Sequence, residues 1–317
     1  MTDSTNASVQ DDVRPDSIHD NLVRVMHFIE ERAALGTYTC GVRTGFQDLD
    51  KTTQGFMPGD LVVVAGRPSM GKTTFALNVA TFVAAESDKP APALVITTDH
   101  TKDDLTLRLL AARSQIDFKR LRLGRLVDRD WPRLAQAADR LARAHLDITE
   151  AGWLSIAKIR HRVEHMTKAG HPPRLVVVDK FYSLTLGEEP EEGSNNRTNE
   201  QAQIVVELKA LARAYGFTLI VIADINKGME ARPDKRPHLV DMKDGSAALE
   251  SYADHILLLY RHETYYRDGE DRGLGEVILA KTRSDTFKSF QLAFTSEHCR
   301  WADLAPAAKA EPVIAPV

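Results

Sequence analysis

The chain has 317 residues, 43% hydrophobic and 27% charged, which is ordinary for a globular protein with a large core. Its 41 basic and 45 acidic residues give a formal net charge of −4, which argues against attraction of the whole surface to nucleic acid. The two cysteines, Cys40 and Cys299, lie far apart and predict neither a disulfide framework nor a thiolate metal site. Neither an apolar run of membrane-spanning length nor a leader pattern is found, so we expect a cytoplasmic protein without membrane contact.

The two ends of the chain differ in composition from its middle. Residues 1–17 are rich in Ser, Thr, Asn and Asp, and residues 304–317 are rich in Ala and Pro, so both are predicted to be disordered tails. Ser17 can cap a helix over residues 18–36, which carries an apolar stripe at helical spacing formed by Leu22, Val25, Met26 and Ile29. This stripe needs a surface to lie on, either in its own domain or on a neighbouring subunit, and the sequence leaves both open.

The stretch from Gly66 to Thr73, called the phosphate loop below, fits G-x-x-x-x-G-K-[ST], the pattern that cradles nucleotide phosphates. A buried strand is predicted before it over 61–65, and a helix after it over 73–83. Glycines allow the tight turn that brings backbone N–H groups close to a polyphosphate at the helix N-terminus. We expect Lys72 to reach the β- and γ-phosphates and the Thr73 hydroxyl to bind Mg²⁺. The other predicted nucleotide-binding residues are Gly66, Arg67, Pro68, Ser69, Met70, Gly71 and Thr74.

Strands and helices alternate along the rest of the chain. Strands are predicted over 93–98, 175–179, 217–222, 255–259 and 276–280, with an edge strand over 290–294. Helices are predicted from Thr101 onward and over 130–145, 154–168 and 204–215. The acidic stretch 186–203 has no periodicity and is predicted to be a mobile surface loop. The alternation predicts an α/β fold with one doubly wound, mainly parallel sheet and helices on both faces.

Acidic residues end several of the predicted strands. Leu175 to Asp179 is a Walker B pattern, in which the carboxylate holds Mg²⁺ through water beside the phosphate loop. Asp99 follows the strand at 93–98, at the edge where open α/β sheets bind ligands. Asp224 follows the strand at 217–222.

Together these motifs resemble the C-terminal motor domain of the DnaB-type replicative helicases, a hexameric family with a RecA-like P-loop NTPase fold. The resemblance covers Gly41 to Trp301. Beyond the phosphate loop it rests on Gly41-Val42-Arg43-Thr44-Gly45-Phe46, Asp48-Leu49-Asp50, Asn196-Arg197, Asp234-Lys235-Arg236-Pro237 and Lys281-Thr282-Arg283. It implies a linker helix at 18–36 and a RecA-like ATPase domain at 37–303, without the family's N-terminal helical domain.

The resemblance also implies roles for individual residues. ATP would lie between subunits of a hexameric ring, with Lys72 and Thr73 on the phosphates and magnesium and Asp179 in the Walker B role. Lys281 and Arg283 match the pair that a neighbouring subunit inserts, including an arginine finger that stabilises transition-state charge. Single-stranded DNA would contact channel-facing loops, here Lys243, Asp244 and Gly245, with Arg197 as a second candidate. Replication factors are further implied partners.

Several positions depart from the family pattern where the chemistry is expected. Asp99 stands in place of the family's catalytic Glu and is shorter by one methylene, about 1.5 Å of reach. Asp224 stands in place of a Gln that senses the γ-phosphate, and its charge repels a polyphosphate unless magnesium or a basic partner compensates. Lys180 replaces the aromatic or aliphatic residue after the Walker B Asp179. Lys243-Asp244 replaces the Arg-Glu that the family tends to have.

Two functions of different classes follow from these features. The first is an ATP-dependent DNA helicase or translocase that acts on single-stranded DNA in replication. The second is an ATP-binding paralogue with weak hydrolysis that serves as a ring scaffold, loader or regulator. A RecA/RadA-like recombinase is a third and more distant alternative, because the matched motifs are of the helicase type.

Overall fold

The computed structural model describes residues 17–35, 40–187, 197–242, 247–266, 271–283 and 286–304. In the first half the elements are α1 (Ile18–Leu35), α2 (Gln47–Thr53), β1 (Leu61–Gly66), α3 (Lys72–Thr81), β2 (Ala93–Thr97), α4 (Lys102–Ser114), α5 (Phe118–Arg122), α6 (Asp130–Ala142) and β3 (Leu146–Glu150). In the second half they are β4 (Leu154–Ser155), α7 (Ile156–Lys168), β5 (Leu175–Asp179), β6 (Leu184–Thr185), α8 (Arg197–Tyr215), β7 (Thr218–Asp224), α9 (Ala247–Tyr252), β8 (His255–Tyr260), β9 (Leu274–Lys281), β10 (Lys288–Thr295) and β11 (Arg300–Asp303). Residues 1–16 and 305–317, which carry the predicted tails, lie outside the described residues.

One nine-stranded sheet organises the described residues, in the order β11-β10-β9-β8-β1-β7-β5-β2-β3. The strands from β8 to β3 pair in parallel, and β9, β10 and β11 continue the sheet in antiparallel fashion. This confirms the prediction of a mainly parallel α/β sheet. The strand predicted at 290–294 is present as β10, but its predicted edge position was wrong, because the four-residue β11 pairs with its outer side. The edges are β11 and β3, and β3 was not predicted.

Both faces of the central strands are buried, which explains their uninterrupted apolar runs. Val62 and Val64 of β1 point into a core with Phe75 and Val79 of α3, whereas Leu61, Val63 and Ala65 point to the other face. The second core is filled mainly from α7 and α8, through Ile159, Val163, Ile204 and Leu208. Because side chains alternate along a strand, the two layers of helices cover the two faces of one sheet.

Three helix boundaries differ from the sequence-based predictions. The stretch predicted as a loop at 186–203 is helical from Arg197 onward, because α8 packs across the sheet and buries Gln201 in its first turns. The helix predicted over 154–168 starts at Ile156, where the Ser155 hydroxyl accepts a hydrogen bond from the Lys158 N–H at 3.3 Å. The helix predicted over 130–145 ends at Ala142, and three residues connect it to the start of β3 at Leu146.

The helix predicted at the start of the chain is present as α1. Its apolar stripe stays about half exposed, with Leu22 at 54% and Met26 at 52%. The rest of the described chain therefore does not cover this stripe. Among the described residues, none of the helices combines the length and apolarity needed to cross a membrane.

Candidate nucleotide site

The phosphate loop joins β1 to α3 at the carboxyl edge of the parallel strands. Gly71 has φ +84°, and a Cβ at this position would lie 2.9 Å from the Phe294 ring and 3.0 Å from Trp301 Nε1. Trp301 Nε1 donates a hydrogen bond to the Gly71 carbonyl at 3.1 Å. The loop is therefore held against β10 and β11, and only glycine combines this backbone angle with this close contact.

Lys72 begins α3 and its ammonium group is held inside the site. Its Nζ donates to the carbonyls of Gly66 at 2.7 Å and Arg67 at 3.1 Å and lies 3.2 Å from Asp224 Oδ1. Burial lowers the pKa of Lys72, against the opposing effect of the carboxylates of Asp224 and Asp179. A polyphosphate would supply charged acceptors in place of the two neutral carbonyls, and the ammonium has the reach to bind them.

Thr73 and Asp179 bring two oxygen ligands together. The Thr73 hydroxyl donates to Asp179 Oδ2 at 2.8 Å, and Asp179 is only 2% exposed at the end of β5. Burial raises the pKa of Asp179, partly opposed by the Thr73 hydrogen bond. Hydroxyl and carboxylate oxygens suit Mg²⁺, which uses one or two protein ligands together with phosphates and water. The described residues contain no cluster of three or more His, Cys, Asp and Glu side chains suited to a fully protein-ligated metal.

Asp99, Asp179 and Asp224 line the same cavity of about 480 Å³ as the phosphate loop. They come together because β7, β5 and β2 are neighbours in the sheet and end at the same edge. Between Asp99 and Asp224 lies Lys180, whose Nζ is 3.8 Å from Asp99 Oδ2 and 3.7 Å from Asp224 Oδ2. Asp224 therefore has two basic partners, Lys72 and Lys180.

Several cavity residues were not found from the sequence. The Arg261 guanidinium lies 3.8 Å from the centroid of the Phe294 ring and donates to the Ser69 carbonyl at 2.7 Å. His100 also lines the cavity, and its Nδ1 lies 3.6 Å from Asp104 Oδ2. The other lining residues that the sequence did not indicate are Arg108, Phe118, Ile222, Ser296 and Cys299. Arg261 directly follows β8 and Phe294 lies on β10, and no local motif marks either residue.

Lys281 and Arg283 lie at the opposite edge of the sheet from this cavity. The Arg283 guanidinium contacts Asp254 Oδ1 at 3.0 Å and also Asp60, which directly precedes β1. Lys281 Nζ donates to the Glu250 and Ser251 carbonyls near the end of α9. Within one chain these two cations therefore do not join Lys72, Asp99, Asp179 and Asp224.

The predicted DNA-binding residues are largely outside the structural description. Lys243, Asp244 and Gly245 lie outside the described residues. Arg197 is the first residue of α8, so its backbone is helical. Their predicted contacts with DNA stay predictions.

Residues 41–303 match the family model described as "DnaB-like helicase C terminal domain". The chain belongs to this family. It is 36% identical over 267 residues to the replicative DNA helicase DnaB of Pasteurella multocida (strain Pm70), covering 84% of this chain and 56% of that protein. It is 33% identical over 288 residues to DnaB of Geobacillus stearothermophilus, covering 91% of this chain and 62% of that protein. The chain thus spans less than two thirds of the length of these relatives.

Solved structures of similar proteins have the same fold. One of them, described by its title as an ATPase domain, superposes with a TM-score of 0.83 at 30% identity, covering 92% of this chain and 100% of that one. A DnaB-like replicative helicase, whose title adds its interactions with primase, superposes with a TM-score of 0.80 at 31% identity, covering 92% of this chain and 68% of that one. The predicted RecA-like P-loop fold is confirmed.

Proposed function

We propose that this chain is an ATP-dependent DNA helicase or translocase that acts on single-stranded DNA in replication. The observation that carries the proposal is the meeting of the phosphate loop with the Thr73 and Asp179 oxygens, 2.8 Å apart, in one cavity of a DnaB-like domain. A nucleotide triphosphate and Mg²⁺ fit these groups by charge and by ligand type.

ATP would place its β- and γ-phosphates against Lys72 and the backbone N–H groups of the phosphate loop. Magnesium, held by Thr73 and Asp179, would neutralise charge on the phosphate oxygens. Asp99 is the carboxylate proposed to accept a proton from the attacking water, and its position beside the cavity supports this role. Asp224 is the residue proposed to respond to the γ-phosphate, through its contact with Lys72.

We propose a hexameric ring in which each subunit supplies Lys281 and Arg283 to the nucleotide of its neighbour. Their position at the far edge of the sheet supports this, because they are too distant to serve their own cavity. The exposed stripe of α1 is proposed to dock on an adjacent subunit as the linker helix. Single-stranded DNA would contact Arg197, Lys243, Asp244 and Gly245, and primase and other replication factors are candidate partners. The cytoplasmic location stays a prediction.

The alternative is an ATP-binding ring protein with weak hydrolysis that acts as a scaffold, loader or regulator. One observation favours it: Lys180 lies within 4 Å of both Asp99 and Asp224, the two positions that depart from the family pattern. The ammonium group beside Asp99 competes with water for the carboxylate oxygens, and a general base must be within hydrogen-bond reach of the water that it activates.

Enzyme assays on four versions of the 317-residue chain separate the two functions. ATP binding, DNA-stimulated ATP hydrolysis and strand unwinding are measured for the native chain, Lys72→Ala, Asp99→Glu and the control Lys89→Ala, which alters an exposed lysine outside the cavity. If the chain is a helicase, we expect that among these proteins only Lys72→Ala loses hydrolysis and unwinding. If the native chain binds ATP but hydrolyses it no faster than Lys72→Ala, the scaffold function replaces the helicase. If the native chain does not bind ATP, both are refuted.

A further inference from the structure

We propose that Lys180 binds the γ-phosphate of ATP and that its positive charge makes the pair Asp99 and Asp224 compatible with a triphosphate. The inference rests on the proposed nucleotide site and assigns within it the side chain that distinguishes ATP from ADP. No motif of the phosphate loop or the Walker B strand includes this residue.

The first argument is position in the sheet. Lys180 directly follows β5, which lies between β7 and β2 in the strand order. Asp224 ends β7 and Asp99 follows β2, so Lys180 projects from the strand between the two carboxylates. Its Nζ lies 3.7 Å from Asp224 Oδ2 and 3.8 Å from Asp99 Oδ2. The ammonium is thus placed on the side of the cavity where the proposed base Asp99 must meet the γ-phosphate.

The second argument is the charge inside the cavity. Asp99, Asp179 and Asp224 are three carboxylates, and a triphosphate adds further negative charge beside them. The cavity arginines have local partners, since Arg108 pairs with Asp104 and Arg261 with Glu263. Among the described lysines and arginines, Lys72 and Lys180 are the ones that lie within 4 Å of Asp99 or Asp224.

The third argument is the arrangement of the two lysines around Asp224. Lys72 Nζ lies 3.2 Å from Asp224 Oδ1, and Lys180 Nζ lies 3.7 Å from Asp224 Oδ2. One carboxylate therefore separates two ammonium groups that would otherwise repel each other. The side chain of Lys180 is 32% exposed and lines the cavity, so its flexible stem allows the ammonium to turn from the carboxylates toward phosphate oxygens bound there.

A simpler interpretation is that Lys180 only forms a partly exposed ion pair, which contributes little to stability or binding. Another is that Lys180 restrains Asp99 and slows hydrolysis without touching the nucleotide. Loss of an ion pair can also weaken ATP binding, because it leaves the charge of Asp224 uncompensated. Only a phosphate ligand predicts a loss that is specific to ATP and that remains when Asp224 is made neutral, so the ratio of ATP to ADP affinity in the single and double variants separates these interpretations.

The test compares the dissociation constants of Mg-ATP and Mg-ADP by calorimetry for the native 317-residue chain, Lys180→Met, Lys180→Arg and Lys180→Met/Asp224→Gln. Lys180→Met is expected to weaken ATP binding by roughly tenfold to a hundredfold, the range for one charge-assisted hydrogen bond. ADP binding should change by less than about threefold, since the γ-phosphate is missing. Lys180→Arg keeps the charge and should keep most of the preference for ATP.

The double variant tests the charge argument. Replacing Asp224 by a neutral amide removes a carboxylate that Lys180 offsets, so Lys180→Met/Asp224→Gln should regain the part of the ATP affinity that was lost to uncompensated charge. The part due to the hydrogen bond between Lys180 and the γ-phosphate should stay lost. Lys89→Met is the matched control, because it removes an exposed lysine outside the cavity. Melting curves identify any variant that fails to fold, and Lys180→Gln, which removes the charge but keeps a polar side chain, then takes the place of Lys180→Met.

Three outcomes overturn the proposal. They are an unchanged ATP affinity in Lys180→Met, an equal loss of ATP and ADP affinity, and faster hydrolysis with an unchanged preference for ATP. A different result would show that the proposed nucleotide site itself is wrong: Lys72→Ala would then bind ATP with the same affinity as the native chain.

Discussion

Trp301 connects β11 to the phosphate loop, and its replacement tests whether that contact stabilises the fold and supports ATP binding by the loop. The residue is 3% exposed, its ring centroid lies 4.8 Å from that of Phe294, and Nε1 donates to the Gly71 carbonyl at 3.1 Å. Trp301→Phe leaves this carbonyl without its partner, which should lower the free energy of unfolding by about 1–2 kcal/mol. Trp301→Ala also opens a cavity, and the expected loss is about 3–5 kcal/mol.

The same contact is expected to set the affinity for ATP. Gly71 directly precedes α3, whose N-terminus would face the phosphates of a bound nucleotide, so a loosened loop would have to be ordered again on binding. Well below the melting temperature of every variant, Trp301→Ala should bind ATP roughly tenfold more weakly than the native chain. Chemical denaturation gives the stabilities, and calorimetry with Mg-ATP gives the affinities.

Phe290→Ala is the control for a general loss of packing. Phe290 is 5% exposed and lies on β10, four residues before the Phe294 that contacts Gly71, about 13 Å along the strand. The Phe290→Ala variant should have a lower free energy of unfolding than the native chain but the same affinity for ATP. If Trp301→Ala and Phe290→Ala lose stability alike and both bind ATP as the native chain does, Trp301 is a core residue only and does not support the loop.

Three further predictions address the charged residues and α1. Asp179→Asn should abolish Mg²⁺-dependent hydrolysis yet raise the melting temperature of the nucleotide-free protein at pH 7, because burial raises the pKa of Asp179 and penalises its charged form. That gain should shrink as the pH falls toward the raised pKa and native Asp179 becomes neutral, and a gain that grows on acidification in a pH series of melting curves would contradict it. Arg283→Ala should slow hydrolysis by roughly 10³-fold or more while ATP affinity stays unchanged, and mixing it with inactive Lys72→Ala should restore part of the activity in a steady-state assay. Mixed rings without any recovery would refute a finger supplied by the neighbour. Met26→Asp should reduce the assembled mass seen by light scattering without lowering the melting temperature, and an unchanged mass would argue against docking through α1.

Local patterns were sufficient to predict the phosphate loop and the strands around it. An apolar β-branched run at β1 and a glycine-rich turn before α3 are encoded within about twenty residues, so neighbours in sequence carry the signal. The rule that strand carboxyl ends meet at one edge also applies to Asp99, Asp179 and Asp224, which the structure places around one cavity. The roles assigned to them stay predictions.

Contacts made across the sheet could not be predicted in the same way. β11 has four residues, too few for a periodic pattern, yet it brings Trp301 to Gly71. Arg261 and Phe294 come together only after β9 and β10 fold back beside β8. The start of α8 is rich in polar residues and has no apolar stripe of its own, so packing of the whole helix on the sheet overrides its weak local pattern. The position of Lys180 between two acids likewise depends on strand order.

The placement of the two halves of the proposed site constrains how subunits can assemble. The phosphate loop follows β1, whereas Arg283 contacts Asp60 just before β1, and six residues of strand separate these edges by about 20 Å. A subunit interface that completes the site must therefore join the amino edge of one sheet to the carboxyl edge of the next. Such an interface is heterologous and closes into a ring or continues as a filament, whereas a twofold dimer repeats one patch on both subunits. Hydrolysis per subunit should accordingly rise with protein concentration as rings form, and a rate that is constant down to monomer concentrations would refute a shared site.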